Sequence, residues 1–206
     1  MPNFITKAGI GMFWFFCLAI GLISARLLWP GVAGATPHIA YHYDDRAIAL
    51  IGHIGCAVTA LLVMPFQFSI KLRGSRPWLH RYLGRIYVVA CVIAGICGLW
   101  LATATQAGLV AAFGFGLLAV IWVYATLQAY LTARARDIAR HRGWMIRSGA
   151  LTFAAVTLRL YLGIGFATGG DFDEVYQLVA WACWVPNLIV AEWWLLDDTA
   201  HERAVS

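Results

Sequence analysis

Residues 47–70 read AIALIGHIGCAVTALLVMPFQFSI, and residues 71–85 continue as KLRGSRPWLHRYLGR. The first segment has 24 residues and contains no Asp, Glu, Lys or Arg. A helix needs about 20 apolar residues to cross the hydrocarbon core of a bilayer, so this segment predicts a transmembrane span. The second segment is basic, which is typical of a loop on the cytoplasmic side of a membrane.

The composition of the whole chain supports this interpretation. Of the 206 residues, 62% are apolar and only 12% are charged, whereas a soluble domain has roughly 45–50% apolar and 25% charged residues. The mean hydropathy is +0.74. One water-soluble core of this size cannot bury so much apolar surface, which excludes a cytosolic enzyme. The net charge of +5 comes from short loops between apolar runs, so it indicates membrane topology rather than a nucleic-acid partner.

Six apolar stretches predict an all-α membrane protein with six transmembrane helices, in a single membrane domain over residues 1–206. The stretches lie at about 8–29, 47–70, 86–105, 108–132, 148–167 and 175–196. Because the loops at 71–85 and 134–147 are basic, the positive-inside rule predicts these loops and both termini in the cytoplasm, in the cell (inner) membrane. A cleaved signal peptide is the alternative for the first stretch, since Ala33-Gly34-Ala35 resembles a cleavage site. The length of the stretch and the internal Arg26 favour a retained helix.

The sequence matches itself around the two basic loops when it is shifted by 61 positions. The matched pairs are Gln67 with Gln128, Arg73 with Arg134, His80 with His141, and Arg81 with Arg142. Similar basic composition explains the matched arginines but not the matched glutamine and histidine. We therefore predict that spans two–three and four–five are parallel repeats related by an axis along the membrane normal. Such an axis would set the two histidines opposite each other at one depth.

This pair of histidines predicts a haem b site. Neutral imidazole is a common axial ligand of haem iron, so His80 and His141 are the candidate ligands. Small residues that leave room for a flat ring follow each histidine at helical spacing: Gly84, Gly95 and Gly98, and Ser148, Thr152 and Ala155. Cations that suit the haem propionates are Arg81, Arg85, Arg142 and Arg147. The alternative is that these histidines and arginines anchor helix ends and contact lipid phosphates.

A second candidate site lies nearer the opposite membrane surface. His53 and Arg159 are expected at similar depth in spans two and five, and intramembrane arginine almost always faces the bundle interior or a cavity. They suit an anion, a quinone oxygen or a second haem; the alternative is a buried polar cluster that holds the helices together.

Glu192 is interpreted as an interfacial carboxylate, with a proton relay as the alternative. His38 and His42 give a weak copper or zinc signal.

Several short motifs resemble one known family. They are HIG at 53–55, PFQF at 65–68, HRYLGRIY at 80–87, HRGWMIR at 141–147 and ALTFAAVTLR at 150–159. The chain over residues 52–161 resembles the bacterial predicted membrane proteins of domain of unknown function 2306. That resemblance implies a multi-pass membrane protein and no particular activity.

The histidine-bearing helices are also distantly similar to b-type transmembrane cytochromes, which carry paired histidines on four core helices. The repeat places Gly114 where a partner for His53 would be needed. This departure argues against a second haem and leaves His80 with His141 as the best pair.

Three functions follow from these observations. The first is a b-type cytochrome that carries electrons within or across the membrane, to or from a quinone or a redox protein partner. The second is a cofactor-free interaction or assembly protein whose basic loops bind anionic lipid or a partner. The third is a small-molecule transporter with His53 and Arg159 along its path. Motifs for nucleotide-driven or hydrolytic chemistry are absent from the sequence.

Overall fold

A computed structural model describes the backbone of residues 3–29 and 37–205, and the side chains of residues 7–29 and 40–197. These residues form α-helices and one short 3₁₀ helix, and the described part of the chain contains no β-strand. The helices are α1 (Asn3–Ala25), the 3₁₀ helix (Arg26–Leu28), α2 (Pro37–Phe68), α3 (Ile70–Ser75), α4 (Pro77–Ala102), α5 (Leu109–Arg134), α6 (Ile138–Thr152), α7 (Ala154–Ala167), α8 (Phe172–Ala182) and α9 (Val185–Val205).

The prediction of six membrane-spanning helices is confirmed. Six helical segments are long and apolar enough to cross a bilayer: Lys7–Leu28, Ala40–Phe68, Pro77–Ala102, Leu109–Arg134, Ile138–Ala167 and Phe172–Asp197. Large apolar side chains on them face outward; Ile48 is 84% exposed and Leu109 is 76% exposed. Such surfaces require a lipid environment, so this is a multi-pass membrane protein. The orientation of the termini stays a prediction.

Two of the spans begin nine or ten residues earlier than the hydrophobic stretches suggested. The third begins at Pro77 rather than at residue 86, and the fifth begins at Ile138 rather than at residue 148. Arginine is a good helix former, and its long side chain can keep its charged end in water, so a helix can continue past the apolar segment. The candidate signal-peptide cleavage site, Ala33-Gly34-Ala35, lies outside the described residues.

The chain divides into two compact units, Met1–Leu101 and Ala102–Ser206, and each holds three spans. The prediction of one membrane domain and the prediction of a parallel repeat both stay predictions.

In the first unit, α1 packs against α2. The core of this unit contains Ala49, Leu50, Ile54 and Val58 from α2 together with Leu101 from α4. The hydroxyl of Tyr43 donates to the carbonyl of Leu27 at 2.8 Å, which ties the start of α2 to the 3₁₀ helix. Arg46 has non-helical backbone angles (φ −140°, ψ 34°), so α2 is kinked just before its apolar segment.

In the second unit, α5 and α6 are joined by buried polar bonds. Trp122 Nε1 donates to Thr152 Oγ1 at 2.9 Å, and the hydroxyls of Thr126 and Ser148 lie 2.7 Å apart. Bonds of this kind between membrane helices each contribute about 0.6 kcal/mol, and up to about 1.7 kcal/mol. They fix which faces of these two helices meet.

Spans five and six are both interrupted near their middles. Span five changes from α6 to α7 at Phe153, and span six changes from α8 to α9 at Cys183 and Trp184. Pro186 explains the second interruption, because it has no N–H to donate to the carbonyl of residue 182 and its ring crowds that carbonyl. Asn187 follows it directly and bonds into both interrupted regions.

The Asn187 amide connects the two interruptions. Its Nδ2 lies 3.3 Å from the Ala150 carbonyl, 2.9 Å from the Cys183 carbonyl and 3.2 Å from Thr157 Oγ1. Thr157 also donates to the Cys183 carbonyl. Interrupted helices in transporters bind ions where unwound carbonyls line a cavity. Here protein side chains bond to two of the carbonyls near the interruptions, those of Ala150 and Cys183.

Candidate functional site

His141 is held in one orientation by a neighbouring helix. It is the fourth residue of α6, which begins after Asp137, whose carboxylate accepts from the Arg140 N–H at 3.1 Å. The imidazole Nδ1 lies 2.8 Å from the carbonyl oxygen of Ala129 on α5. A carbonyl only accepts, so Nδ1 carries a proton in this contact, and in the neutral imidazole the lone pair is on Nε2. Metal-ligating histidines typically show this arrangement.

His80 occupies the same position in its own helix. It is the fourth residue of α4, and its backbone N–H donates to the Arg76 carbonyl at 3.1 Å. Gly84 follows one turn later and faces α2, where a Cβ on it would lie 3.1 Å from Gln67 Oε1. Gln67 is 7% exposed, and its Nε2 is buried without a hydrogen-bond partner among the described residues. A buried amide donor of this kind needs an acceptor, either from water or from a ligand.

Several of the small residues predicted to flank a haem instead pack within the units. A Cβ on Gly98 would lie 2.9 Å from the Nδ1 of His53, so this glycine makes room for an imidazole of α2. Ser148 and Thr152 form the polar bonds between α6 and α5. These three positions leave no open surface for a ring, whereas a Cβ on Gly84 would meet only the end of the flexible Gln67 side chain.

The predicted propionate partners differ in their surroundings. Arg147 forms a two-point ion pair with Glu192 of α9, with Nε–Oε1 at 2.5 Å and Nη2–Oε2 at 2.7 Å. Its guanidinium also lies 4.9 Å from the centre of the Trp144 ring. Arg81 and Arg142, each next to a histidine, are exposed. The Glu192 carboxylate, which the sequence predicts at the membrane interface, is therefore paired with Arg147.

His53 links α2 to α4 in the first unit. Its Nδ1 lies 2.8 Å from the Ala94 carbonyl, so it too carries its proton on Nδ1. Arg159 belongs to the second unit, where its Nη1 donates to the carbonyl of Ala155, one turn back on α7, at 3.0 Å. No described carboxylate lies within ion-pair distance of this guanidinium. An outer-side site that uses both residues stays a prediction.

Gly114, the position that corresponds to His53 in the proposed repeat, has a packing role in the second unit. A Cβ there would lie 2.9 Å from the Cβ and the carbonyl oxygen of Ala180 on α8. A histidine cannot fit in this space without moving α8. The absence of a fourth core histidine therefore has a steric explanation.

The proposed loop metal site is only partly described. The His38 side chain lies outside the described residues. His42 lies on α2, is 7% exposed and packs against Tyr41, with ring centres 4.1 Å apart and ring planes tilted by 41°. Within the part of the chain that the structure describes, no three His, Cys, Asp or Glu side chains form a group that suits a metal ion.

Two residues of interest were not proposed as site residues from the sequence. Gln67 was recognised only as a match in the repeat, and its burial beside Gly84 makes it a candidate ligand contact. Asn187 is an amide in an apolar run directly after a proline. That pattern is a usable sequence signal for a bond into an interrupted helix, because proline leaves a carbonyl without its usual donor.

Comparison with known proteins identifies the family of the chain. Residues 50–195 match a family described as predicted membrane protein (DUF2306). The chain belongs to this family. The match extends beyond residues 52–161 and includes span six with its ion pair between Glu192 and Arg147. No curated protein and no solved structure matches the chain. The similarity to b-type cytochromes stays a prediction.

Proposed function

We propose that this membrane protein is a b-type cytochrome that holds haem b through His141 and carries electrons within or across the membrane. The observation that supports this most directly is the bond from His141 Nδ1 to the Ala129 carbonyl. It fixes the ring orientation and the tautomer, and it leaves Nε2 available as an iron ligand.

His80 is the candidate for the other axial position on the strength of the sequence repeat. Within its own unit it lies one turn from Gly84, and a Cβ on Gly84 would lie 3.1 Å from Oε1 of Gln67, whose buried Nε2 has no hydrogen-bond partner among the described residues. This amide N–H can donate a hydrogen bond to an oxygen of a bound ligand. It is a second reason, besides the sequence match with His141, to expect a cofactor in this region. Arg81 and Arg142 are the exposed cations next to the two histidines and suit anionic propionates.

If His80 and His141 both ligated the iron, a bound haem would supply one-electron transfer rather than oxygen binding. The protein's part is to set ligand orientation, ligand basicity and the polarity around the ring. A quinone or a soluble redox protein is the partner class that such chemistry requires. Arg159, an intramembrane cation without a carboxylate partner among the described residues, is the candidate contact for a quinone oxygen.

The test is a visible spectrum of the full chain, purified in detergent from haem-supplied cells, before and after dithionite. We expect a sharp Soret band and an α band on reduction. A featureless spectrum overturns the proposal.

The variants His141→Gln and His80→Gln separate ligation from folding. An amide is a poor iron ligand, but it can donate to a carbonyl such as that of Ala129. We expect each variant to lose the reduced α band while keeping a wild-type far-UV circular dichroism spectrum and elution volume. His53→Gln is the matched control, because His53 makes the same kind of Nδ1 contact at Ala94; it should keep the band. A normal haem spectrum in both the His141 and His80 variants overturns the proposal.

A further inference from the structure

A groove runs between α2 and α4 on the surface of the first unit. Its volume is about 370 Å³, and its lining is almost entirely apolar. Cys56 and Thr59 of α2 form one wall, and Val89 and Ile93 of α4 lie on the other. Val89 is 57% exposed and Ile93 is 42% exposed, so the groove opens to the surroundings of the helices. In a membrane these surroundings are lipid tails.

Arg85 is the one charged residue in the lining of this groove. It is exposed, and it forms no ion pair or side-chain hydrogen bond with the described residues. It lies five residues after His80, which places it about 140° away around α4 at 100° per residue. Arg85 therefore lies on a different side of α4 from His80, which disfavours its predicted role at a haem bound by His80.

The groove extends over most of the depth of one leaflet. From Arg85 to Ile93, α4 advances about 12 Å, at 1.5 Å per residue. One leaflet contributes about 15 Å of the hydrocarbon core. Arg85 lies at the end of the groove nearest the basic segment at 71–85, where an interfacial headgroup is expected.

We propose that the groove between α2 and α4 binds an acyl chain of an anionic phospholipid, with the headgroup phosphate on the Arg85 guanidinium. Guanidinium groups bind phosphate through two parallel hydrogen bonds. No lining residue carries a negative charge that would repel an anionic headgroup. The charge of Arg85 selects the headgroup, and the apolar walls accept the tail.

Native mass spectrometry of the full chain in detergent tests this, with dioleoyl phosphatidylglycerol and dioleoyl phosphatidylcholine as probes. Their tails are identical, so a difference in binding reports the headgroup. We expect the unaltered protein to retain phosphatidylglycerol preferentially, and Arg85→Gln to weaken that binding about fivefold, the effect of one basic residue near an anionic surface. Arg85→Lys should keep part of the preference, and Arg76→Gln, which removes an exposed arginine outside the groove, should leave it unchanged.

Val89→Trp tests the groove itself. The larger side chain points outward and fills the groove, so it should reduce retention of both lipids without changing the far-UV circular dichroism spectrum. Equal retention of the two lipids by the unaltered protein overturns the proposal, as does unchanged binding in Arg85→Gln. A dimer that dissociates in Val89→Trp assigns the groove to a second copy and also overturns it, and so does a retained isoprenoid quinone in place of phospholipid.

Discussion

The ion pair between Arg147 and Glu192 should stabilise the second unit by an amount that a double-mutant cycle can measure. Two unit charges about 4 Å apart attract by about 4 kcal/mol at an effective dielectric constant of 20. The side chains are 28% and 42% exposed, so solvent screens part of this attraction, and each loses hydration on pairing. The remaining coupling should be about 1–2 kcal/mol, above the median for surface pairs of about 0–1 kcal/mol.

The cycle uses Glu192→Gln, Arg147→Met and the double variant. The stability of each protein is measured by titrating detergent-solubilised protein with sodium dodecyl sulfate and following helicity. Glu192→Gln should cost the most, because it leaves a partly buried guanidinium without its carboxylate. The double variant should recover part of that loss. Additive effects within about 0.3–0.5 kcal/mol would refute the reasoning, because they would mean that the two charges are not coupled.

Three further variants test the packing within the units by the same titration. Gly98→Ala should destabilise by about 1–3 kcal/mol, because its Cβ would lie 2.9 Å from His53 Nδ1. Gly163→Ala, which has nothing within 4 Å, should be neutral or stabilising; equal shifts in both variants would contradict the steric argument. Asn187→Leu should cost about 1 kcal/mol, since one amide nitrogen has two hydrogens and each membrane hydrogen bond contributes about 0.6 kcal/mol. An unchanged midpoint would show that its bond to the Cys183 carbonyl is not stabilising.

The architecture was predictable because a bilayer imposes one simple requirement on the chain. Every backbone polar group in the hydrocarbon core must be bonded internally, so apolar stretches of sufficient length become helices. The helix starts at Pro77 and Ile138 were missed for a physical reason. Hydropathy reports the cost of burying side chains in lipid, whereas a helix in the interface continues as long as its side chains reach water.

The candidate site was predictable as residue types but not as contacts. The sequence match at a shift of 61 positions singled out His80 and His141, and the structure adds the contact of His141 Nδ1 with the Ala129 carbonyl. Spacing alone did not reveal that Arg147 pairs with Glu192, because 45 residues separate them and either has several possible partners. Residue spacing also did not show that Ser148 bonds to Thr126. A small residue is compatible both with a surface next to a cofactor and with a close contact between helices.

The ion pair also constrains how the protein enters the membrane during synthesis. Span five carries Arg147 and Arg159, and an arginine is costly when the translocon releases its helix into lipid, by up to about 2.5–3.5 kcal/mol at the helix centre. The compensating carboxylate of Glu192 is made later, on span six, and only residues 168–171 connect α7 to α8. Spans five and six should therefore leave the translocon together as a helical hairpin, so a ribosome stalled before residue 192 should leave span five poorly integrated.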